Sequence, residues 1–317
     1  MLDVVRAVLE AKDRIYQIAR ETPIDHSPYF SELGKCDAHF KLENLQHTGA
    51  FKLRGASNKI LSLTDDERDQ GCVAASTGNH GMAVSFALGK LGSSGLIFVP
   101  ETTEPTKVEA IRRLGGEVRF FGKDGGLAEI HARKYADEHG MVFVSPYNDP
   151  KIVGGQGTIG WELSRQLDKV DRIYVAVGAG GLISGIAGYL KSVNPDLEAI
   201  GCLPEASPVM LESIEAGHVV PWDPRPTLSD GTAGTMEADT ITLDLCRELI
   251  DDWVIVSEEE IAAAMRSFID TQHMLLEGSA GVAVGGFLKS RESCAGKTVA
   301  ILICGGNFGC QSLKSIL

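Results

Sequence analysis

The order of apolar and polar stretches along the chain predicts an α/β protein. Residues 2–20 carry apolar side chains at helical spacing, which indicates an amphipathic helix. Further along, short apolar runs alternate with longer helical patterns. We predict strand 72–75, helix 79–91, strand 96–99, helix 105–114, strand 117–121, helix 127–139 and strand 141–144. Strands that alternate with helices in this way form a parallel sheet.

From residue 152 the alternation resumes on a larger scale. The predicted elements are a helix to about 167, strand 172–177, helix 178–192, strand 198–203, helix 209–216, strand 253–256 and strand 299–303, with further helices around 253–256. A strand at 39–43 and a helix at 54–63 precede the first series. The pattern predicts two three-layer α/β/α lobes with mostly parallel sheets. The large domain would comprise residues 1–65 plus 148–317, and the small domain residues 66–147.

Composition and charge narrow the class of protein. The chain has 317 residues and a formal net charge of -13, from 43 acidic and 30 basic side chains. This charge repels nucleic acids and anionic membranes, so we expect neither as a partner. The seven cysteines show no metal-ligand spacing, which is typical of reduced thiols in the cytoplasm. We therefore expect a soluble cytoplasmic protein without a bound metal.

The first candidate for chemistry is Lys52. It lies between Phe51 and Leu53, with Arg54 two residues further on. An apolar setting disfavours the ammonium form, and a neutral amine can attack a carbonyl. The alternative is a structural lysine whose stem packs on Phe51 while its head reaches water.

The second candidate is the Gly-Ala-Gly-Gly turn at residues 178–181, between a strand and a helix. Backbone N–H groups at a helix start bind anions, and glycines allow a phosphate to come close. A dinucleotide fingerprint would need glycine at position 183, where this chain has Ile183. A small phosphate held by the backbone fits better than a nucleotide, although a turn without a ligand remains open.

Two further turns follow strands. Ser76, Thr77 and Asn79 offer hydroxyl and amide groups at a helix start, which suits a carboxylate, although simple N-capping would use one of them. Cys304 ends an apolar strand and is followed by Gly305. Ligands in α/β proteins bind at the carboxyl ends of strands.

Taken together, these motifs resemble a known family, the fold-type II pyridoxal-phosphate enzymes, and within it the branch of serine/threonine dehydratases and serine racemase. The resemblance covers nearly the whole chain. It implies the fold of the tryptophan synthase β-subunit and pyridoxal 5'-phosphate as the cofactor. It rests on Phe51-Lys52-Leu53-Arg54-Gly55, Ser76-Thr77-Gly78-Asn79-His80-Gly81, Gly178-Ala179-Gly180-Gly181-Leu182 and Cys304-Gly305-Gly306-Asn307.

The resemblance implies a role for each motif. Lys52 would carry the cofactor as a Schiff base beside Phe51 and then act as a general base. The other cofactor contacts would be Gly178, Ala179, Gly180, Gly181 and Leu182 to the phosphate, Asn79 to the ring oxygen, Cys304 to the pyridine nitrogen, and Gly231 and Glu277 nearby. The substrate carboxylate would be bound by Ser76, Thr77, Gly78 and His80. The large domain would hold the cofactor.

Three positions depart from the family's pattern. Ala50 stands where many relatives have serine, and Thr77 replaces the serine that is the second acid/base in racemases. Leu203 occupies the place of a metal-binding glutamate, although Glu205 lies two residues away. We therefore expect no metal site. The substrate side chain would be met by His47, Ala50 and residues 232–236.

The resemblance implies elimination of water from a β-hydroxy amino acid of the threonine or serine type, which yields a 2-keto acid and ammonia. An amino-acid racemase that uses Thr77 is one alternative. A dehydratase for a bulkier substrate, such as 3-hydroxyaspartate, phenylserine or a hydroxyectoine catabolite, is another. A non-catalytic phosphate-ligand binding protein is the alternative outside enzymes. We expect a homodimer.

Overall fold

The computed structural model of the protein describes residues 2–223 and 225–316. Ten strands form two separate sheets in this part of the chain. The strands are β1 (Ile24–His26), β2 (Asp37–Leu42), β3 (Cys72–Ala75), β4 (Gly95–Val99), β5 (Glu117–Phe120), β6 (Val142–Phe143), β7 (Arg172–Ala176), β8 (Glu198–Pro204), β9 (Asp252–Val256) and β10 (Thr298–Ile303).

The α-helices alternate with most of these strands. They are α1 (Val4–Ile15), α2 (Pro28–Gly34), α3 (Lys52–Leu61), α4 (Asp65–Gln70), α5 (Asn79–Lys90), α6 (Pro105–Arg113), α7 (Gly125–His139), α8 (Pro150–Gln166), α9 (Gly181–Val193), α10 (Val209–Ala216), α11 (Thr242–Leu249), α12 (Glu258–Gln272), α13 (Gly278–Ser290) and α14 (Cys310–Ile316). No helix in residues 2–223 and 225–316 is long and apolar enough to cross a membrane.

The larger sheet has the strand order β1-β2-β10-β7-β8-β9, and only its β1–β2 pair is antiparallel. Strand β10 is near the centre because it pairs with β2 on one side and β7 on the other. Every residue of β7 is buried, which explains its continuous apolar sequence. The smaller sheet is parallel throughout, with the order β5-β4-β3-β6. The predicted α/β class with mostly parallel sheets is confirmed.

Helix α3 connects the two sheets. Leu53 and Ile60 pack in one apolar cluster with Val84 and Ile97 of the smaller lobe. The opposite side of α3 contacts α8, where Gly55 allows a very close approach of the two backbones. The helix that starts with Lys52 is therefore fixed from both sides. The division at residues 66 and 147 stays a prediction, because α3 packs with both lobes.

Several elements differ from their predicted bounds. Helix α9 starts at Gly181 rather than at 178, because Gly180 adopts a left-handed conformation with φ of 78°. The short elements β1, α2, α4 and α14 are absent from the sequence-based interpretation. Strand β1 has only three residues and pairs at the sheet edge, so its apolar pattern is too short to detect.

The carboxyl ends of the parallel strands bring the predicted motifs together. Residue Ser76 follows β3, the glycine turn follows β7, and Cys304 follows β10. Ligands bind at such strand ends in α/β proteins. The loop before Lys52, residues 46–51, is called the lysine loop; it reaches the same place because Ala50 pairs with Gly305 in an isolated antiparallel bridge.

Candidate active site

Lys52 is the first residue of α3, and the loop before it is tied to the end of β10. The Phe51 backbone N–H donates to the Cys304 carbonyl at 2.9 Å, and the Gly306 N–H donates to Gly49 at 2.9 Å. Gly49 has φ of 73°, a conformation that glycine adopts without strain. These bonds place Lys52 at the carboxyl edge of the larger sheet.

The Lys52 amine is enclosed by protein. Its Nζ donates to the carbonyl of Pro146 at 2.8 Å and lies 5.2 Å from the centre of the Phe51 ring. Desolvation lowers the pKa of Lys52 to about 8, and the attraction of Glu129 opposes part of that shift. A considerable fraction of the amine is therefore neutral near pH 7 to 8, which is the state that a nucleophile or general base requires.

Asn79, the first residue of α5, connects three parts of the chain. Its Nδ2 donates to both carboxylate oxygens of Glu277 at 3.0 Å. Its Oδ1 accepts from Asn307 Nδ2 at 2.7 Å, and that same Nδ2 donates to the Thr48 carbonyl at 2.9 Å. The start of α5, the end of β10 and the lysine loop are thus held together by one set of side-chain bonds.

Glu277 and Cys304 form the floor of this region. Cys304 Sγ lies 3.9 Å from Glu277 Oε1. Desolvation raises the pKa of Glu277 to about 7, and Asp230 adds to the shift while Asn79 opposes it. Burial also raises the pKa of Cys304 well above its ordinary value, so Cys304 stays a thiol. The floor therefore presents a neutral thiol and a carboxyl group that titrates near neutrality.

Glycine at two neighbouring positions leaves space around Glu277. A Cβ at Gly305 would come within 2.6 Å of the Glu277 carboxylate. A Cβ at Gly231 would lie 2.8 Å from Ser279 Oγ and 3.8 Å from Glu277 Oε1. Gly231 therefore lies close to Glu277, and the role in cofactor binding that the resemblance implies for it stays a prediction.

The turn after β7 forms a nest of backbone donors. Within residues 2–223 and 225–316, the N–H groups of residues 178–183 find no hydrogen-bond acceptor. A Cβ at Gly178 would be 3.0 Å from Thr232 Cα, and one at Gly181 would be 3.2 Å from Tyr147 Cβ. The glycines thus let neighbouring segments approach while the N–H groups stay open. This geometry fits a phosphate group.

The residues predicted to bind a carboxylate separate into two groups. Ser76 Oγ accepts from the Gly78 N–H at 3.1 Å, and Thr77 is half-buried at the start of α5. His80, by contrast, is buried with its Nε2 2.8 Å from the Val144 carbonyl. Desolvation and the Lys52 charge lower the pKa of His80 to about 3, so its ring is neutral. The His80 ring is therefore engaged with the protein, and its predicted substrate contact stays a prediction.

The positions predicted to set substrate specificity differ in their exposure to solvent. Ala50 is buried, whereas His47 is exposed and stacks on Phe86 with ring centres 5.7 Å apart. Leu203 is buried at the end of β8, and Glu205 is exposed. No group of three or more metal-ligating side chains occurs in the described part of the chain. The expectation of no metal site stays a prediction.

The sequence interpretation missed the segment after β6. Pro146 accepts from Lys52, and Tyr147 OH accepts from the Glu237 N–H at 2.8 Å. Asn148 Nδ2 donates to Glu237 Oε2 at 2.7 Å. Its position in the chain could have identified it, because this segment directly follows a parallel strand, as the recognised motifs do.

These residues fit a phosphorylated carbonyl cofactor. Lys52 supplies an amine with a lowered pKa, the turn at 178–182 supplies open N–H groups for a phosphate, and Asn79 supplies an amide. Cys304 supplies a neutral thiol. The donor set therefore matches the cofactor expected from the sequence.

Comparison with known proteins agrees with the expected cofactor. Residues 15–305 match the sequence model of the family described as pyridoxal-phosphate dependent enzymes. An L-threonine ammonia-lyase of Thermotoga maritima is 37% identical over 310 residues, which cover 98% of this chain and 77% of the relative.

Two solved structures have closely similar folds. The processed form of threonine deaminase isoform 2 from Solanum lycopersicum superimposes with a TM-score of 0.94 at 32% identity, over 99% of this chain and 92% of that one. Maize serine racemase gives a TM-score of 0.92 at 29% identity, over 98% and 95% of the two chains. The predicted family, fold class and cofactor are confirmed. The chain belongs to the family of pyridoxal-phosphate dependent enzymes.

Proposed function

We propose that this chain eliminates water from a β-hydroxy amino acid of the threonine or serine type and releases a 2-keto acid and ammonia. The match to the threonine ammonia-lyase of T. maritima confirms the predicted class, a pyridoxal-phosphate dependent dehydratase or ammonia-lyase. The observation that carries the proposal is the Lys52 amine, with its pKa lowered to about 8 beside an open anion nest.

Lys52 has two tasks in this proposal. Its amine would hold the cofactor, and the same amine would take up the substrate α-proton. A base with a pKa of about 8 is matched to proton abstraction near neutral pH. The bound cofactor supplies the electron sink for the resulting carbanion. The N–H groups of residues 178–182 would hold its phosphate, and Phe51 would pack beside its ring.

Asn79, Glu277 and Cys304 would set the electronic character of the ring. Asn79 is fixed by Glu277 and would orient toward the ring oxygen. Cys304 stays protonated and is a weaker partner for a pyridine nitrogen than an aspartate would be. A thiol in that place would activate the ring only weakly, which would favour prompt loss of the β-hydroxyl group over other outcomes. Gly231, which lies close to Glu277, would complete the cofactor pocket.

The substrate carboxylate would bind at the start of α5. Ser76, Thr77 and Gly78 are half-buried there, and the helix N-terminus favours negative charge. His80 would contribute through its backbone N–H, because its ring bonds to Val144. The carboxylate would thereby be held while Lys52 reaches the α-carbon.

Replacing Lys52 by alanine tests the proposal. We expect the K52A variant to lose the visible absorption of covalently bound cofactor and to release no 2-keto acid or ammonia from threonine or serine. Replacement of the exposed Lys134 by alanine is the matched control and should leave both signals unchanged. An active K52A variant, or a colourless wild-type protein that takes up no pyridoxal phosphate, would contradict the assignment.

Racemisation is the second candidate activity. The Thr77 side chain is half-buried and makes no hydrogen bond to the residues that the structure describes. Its hydroxyl group is therefore free to exchange a proton with a bound substrate. The similarity to maize serine racemase also favours this candidate. Chiral analysis of serine after incubation would reveal it, and the T77A variant should lower racemisation much more strongly than elimination, because only racemisation needs the hydroxyl group as an acid/base.

We also propose that the enzyme is a cytoplasmic homodimer that acts on a free amino acid. All seven cysteines are free thiols, which fits a reducing compartment. Twofold dimers are the commonest assembly of soluble enzymes. Light scattering coupled to size exclusion would measure the mass, and a monomer would contradict the assembly.

A further inference from the structure

Two carboxyl groups share one arginine beside the proposed active site. Arg133 of α7 forms a short ion pair with Glu237 and a longer one of 3.4 Å with Glu129. Asn148 donates to the second oxygen of Glu237 at 2.7 Å. Glu237 is thus bonded through both oxygens. Glu129 has one ion pair among residues 2–223 and 225–316, the long one to Arg133, and its carboxyl group also hydrogen-bonds to that of Glu237.

This cluster lies next to Lys52. The Glu237 N–H donates to the Tyr147 hydroxyl at 2.8 Å, and the adjacent Pro146 carbonyl accepts from Lys52 Nζ. Among the groups around Lys52, Glu129 stabilises its ammonium most strongly. Glu129 of α7 is therefore within electrostatic reach of the reacting amine, although the proposed elimination gives it no task.

The charges of the cluster do not balance. Arg133 offsets one negative charge, and its shorter ion pair is the one with Glu237. The side chain of Glu129 is only 23% exposed. Burial and the neighbouring Glu237 raise its pKa. A partly buried carboxylate is unfavourable without a cationic or hydrogen-bonding partner. Lys52 is not a permanent partner, because the proposed function commits its amine to the cofactor.

We propose that Glu129 is a specificity residue that receives a side-chain ammonium group of the substrate. The inference rests on the proposed function and narrows its substrate class to β-hydroxy amino acids with a cationic side chain. Such a substrate would bring the cluster from one cation against two carboxylates to two against two. Charge-assisted hydrogen bonds of this kind are stronger than neutral ones.

Threonine and 4-aminothreonine are a matched pair of probes, because they differ by one ammonium group on the γ-carbon. For the wild-type holoenzyme we expect kcat/KM to be at least about tenfold higher for 4-aminothreonine. The E129Q variant should lower kcat/KM for 4-aminothreonine by about 10- to 100-fold, mainly through KM, which corresponds to a lost charge-assisted bond. For threonine the change should stay below about threefold.

Two further variants keep the test specific. The E129D variant retains the charge and should recover part of the preference. The E138Q variant removes an exposed carboxylate from the same helix and should leave kcat/KM unchanged for both substrates. The inference would be overturned by a wild-type enzyme whose kcat/KM is higher for threonine. It would also be overturned if the E129Q substitution lowered kcat/KM equally for both substrates. If neither compound is turned over, the proposed function is contradicted, and calorimetric dissociation constants for the pair still decide the role of Glu129.

Discussion

Removing the charge of Glu162 should destabilise the protein strongly, because that carboxylate is the centre of a buried network. Glu162 accepts from Arg54 Nη1 and from Lys41 Nζ, both at 2.5 Å, and from the Tyr16 hydroxyl at 2.7 Å. Glu43 accepts two further bonds from Arg54 at 2.8 Å. Lys41, Glu43, Arg54 and Glu162 are all fully buried, and their formal charges cancel.

The magnitude follows from that balance. Burial alone would raise the pKa of Glu162, but Arg54 and Lys41 outweigh burial and hold it below its ordinary value. Replacement by glutamine leaves two buried cations against one carboxylate and turns an amide N–H₂ group toward their donors. Breaking a buried ion pair by removing one partner costs about 3–5 kcal/mol. This is a large part of a typical unfolding free energy of about 5–15 kcal/mol.

Urea unfolding of the apoprotein, followed by circular dichroism, measures the effect. With a slope of about 3 kcal/mol per molar urea, the midpoint of E162Q should be about 1–1.7 M below that of the wild type. Glu215 is exposed in the last turn of α10, so E215Q makes the same chemical change without burial. The E215Q midpoint should stay close to that of the wild type, because surface substitutions usually change stability by about 0.5 kcal/mol or less.

A double variant distinguishes charge balance from lost packing. In K41M/E162Q the unpaired lysine is removed together with the carboxylate, so the loss should be smaller than in E162Q alone. The reasoning is refuted if E162Q unfolds within about 1 kcal/mol of the wild type. It is also refuted if the loss of unfolding free energy in the double variant equals the sum of the losses in K41M and E162Q.

Three further predictions concern the active site. A Cβ at Gly180 would lie 2.4 Å from Cys246 Sγ at φ of 78°, so G180A should raise the Kd for pyridoxal phosphate by about tenfold or more in equilibrium dialysis. G217A, also at φ of 78° but without a neighbour, should leave that Kd unchanged. The folded pKa of Glu277 is about 7, above the ordinary 4.5, so folding of the apoprotein takes up a proton between these values. Its unfolding free energy should fall by up to about 3 kcal/mol as pH rises through this window, and E277Q should abolish that fall. Because Leu203 is buried and apolar, chelation with EDTA should leave activity intact; recovery on added Mg²⁺ would contradict this.

The sequence predicted the parts of the site that consist of a strand, a turn and a helix. The turns at 76–80 and 178–182 and the end of β10 are local patterns, and parallel pairing places them at one edge. The structure adds how they are joined. Asn79 and Glu277 are 198 residues apart in the chain but 3.0 Å apart in space. No local pattern encodes that pairing.

Glu129 and Glu162 show why other functional or structural groups escape sequence reading. Glu129 shares α7 with the exposed Asp137 and Glu138, whereas Glu162 is the one acidic residue of α8, and the local sequence marks neither as special. Their surroundings depend on which helix face meets a distant segment: Glu162 meets Arg54 from 108 residues away, and Glu129 shares Arg133 with Glu237. A carboxylate becomes distinctive only through such contacts.

Two neighbouring cations on α3 show the same principle in opposite directions. Burial disfavours the charged form of both Lys52 and Arg54. Arg54 meets two carboxylates through direct hydrogen bonds, and they hold its pKa well above the ordinary value. Lys52 meets a carbonyl group and only more distant acids, so its pKa falls to about 8. One helical turn can thus anchor α3 with a permanent charge and present a reactive amine, because the two side chains project toward differently charged surroundings.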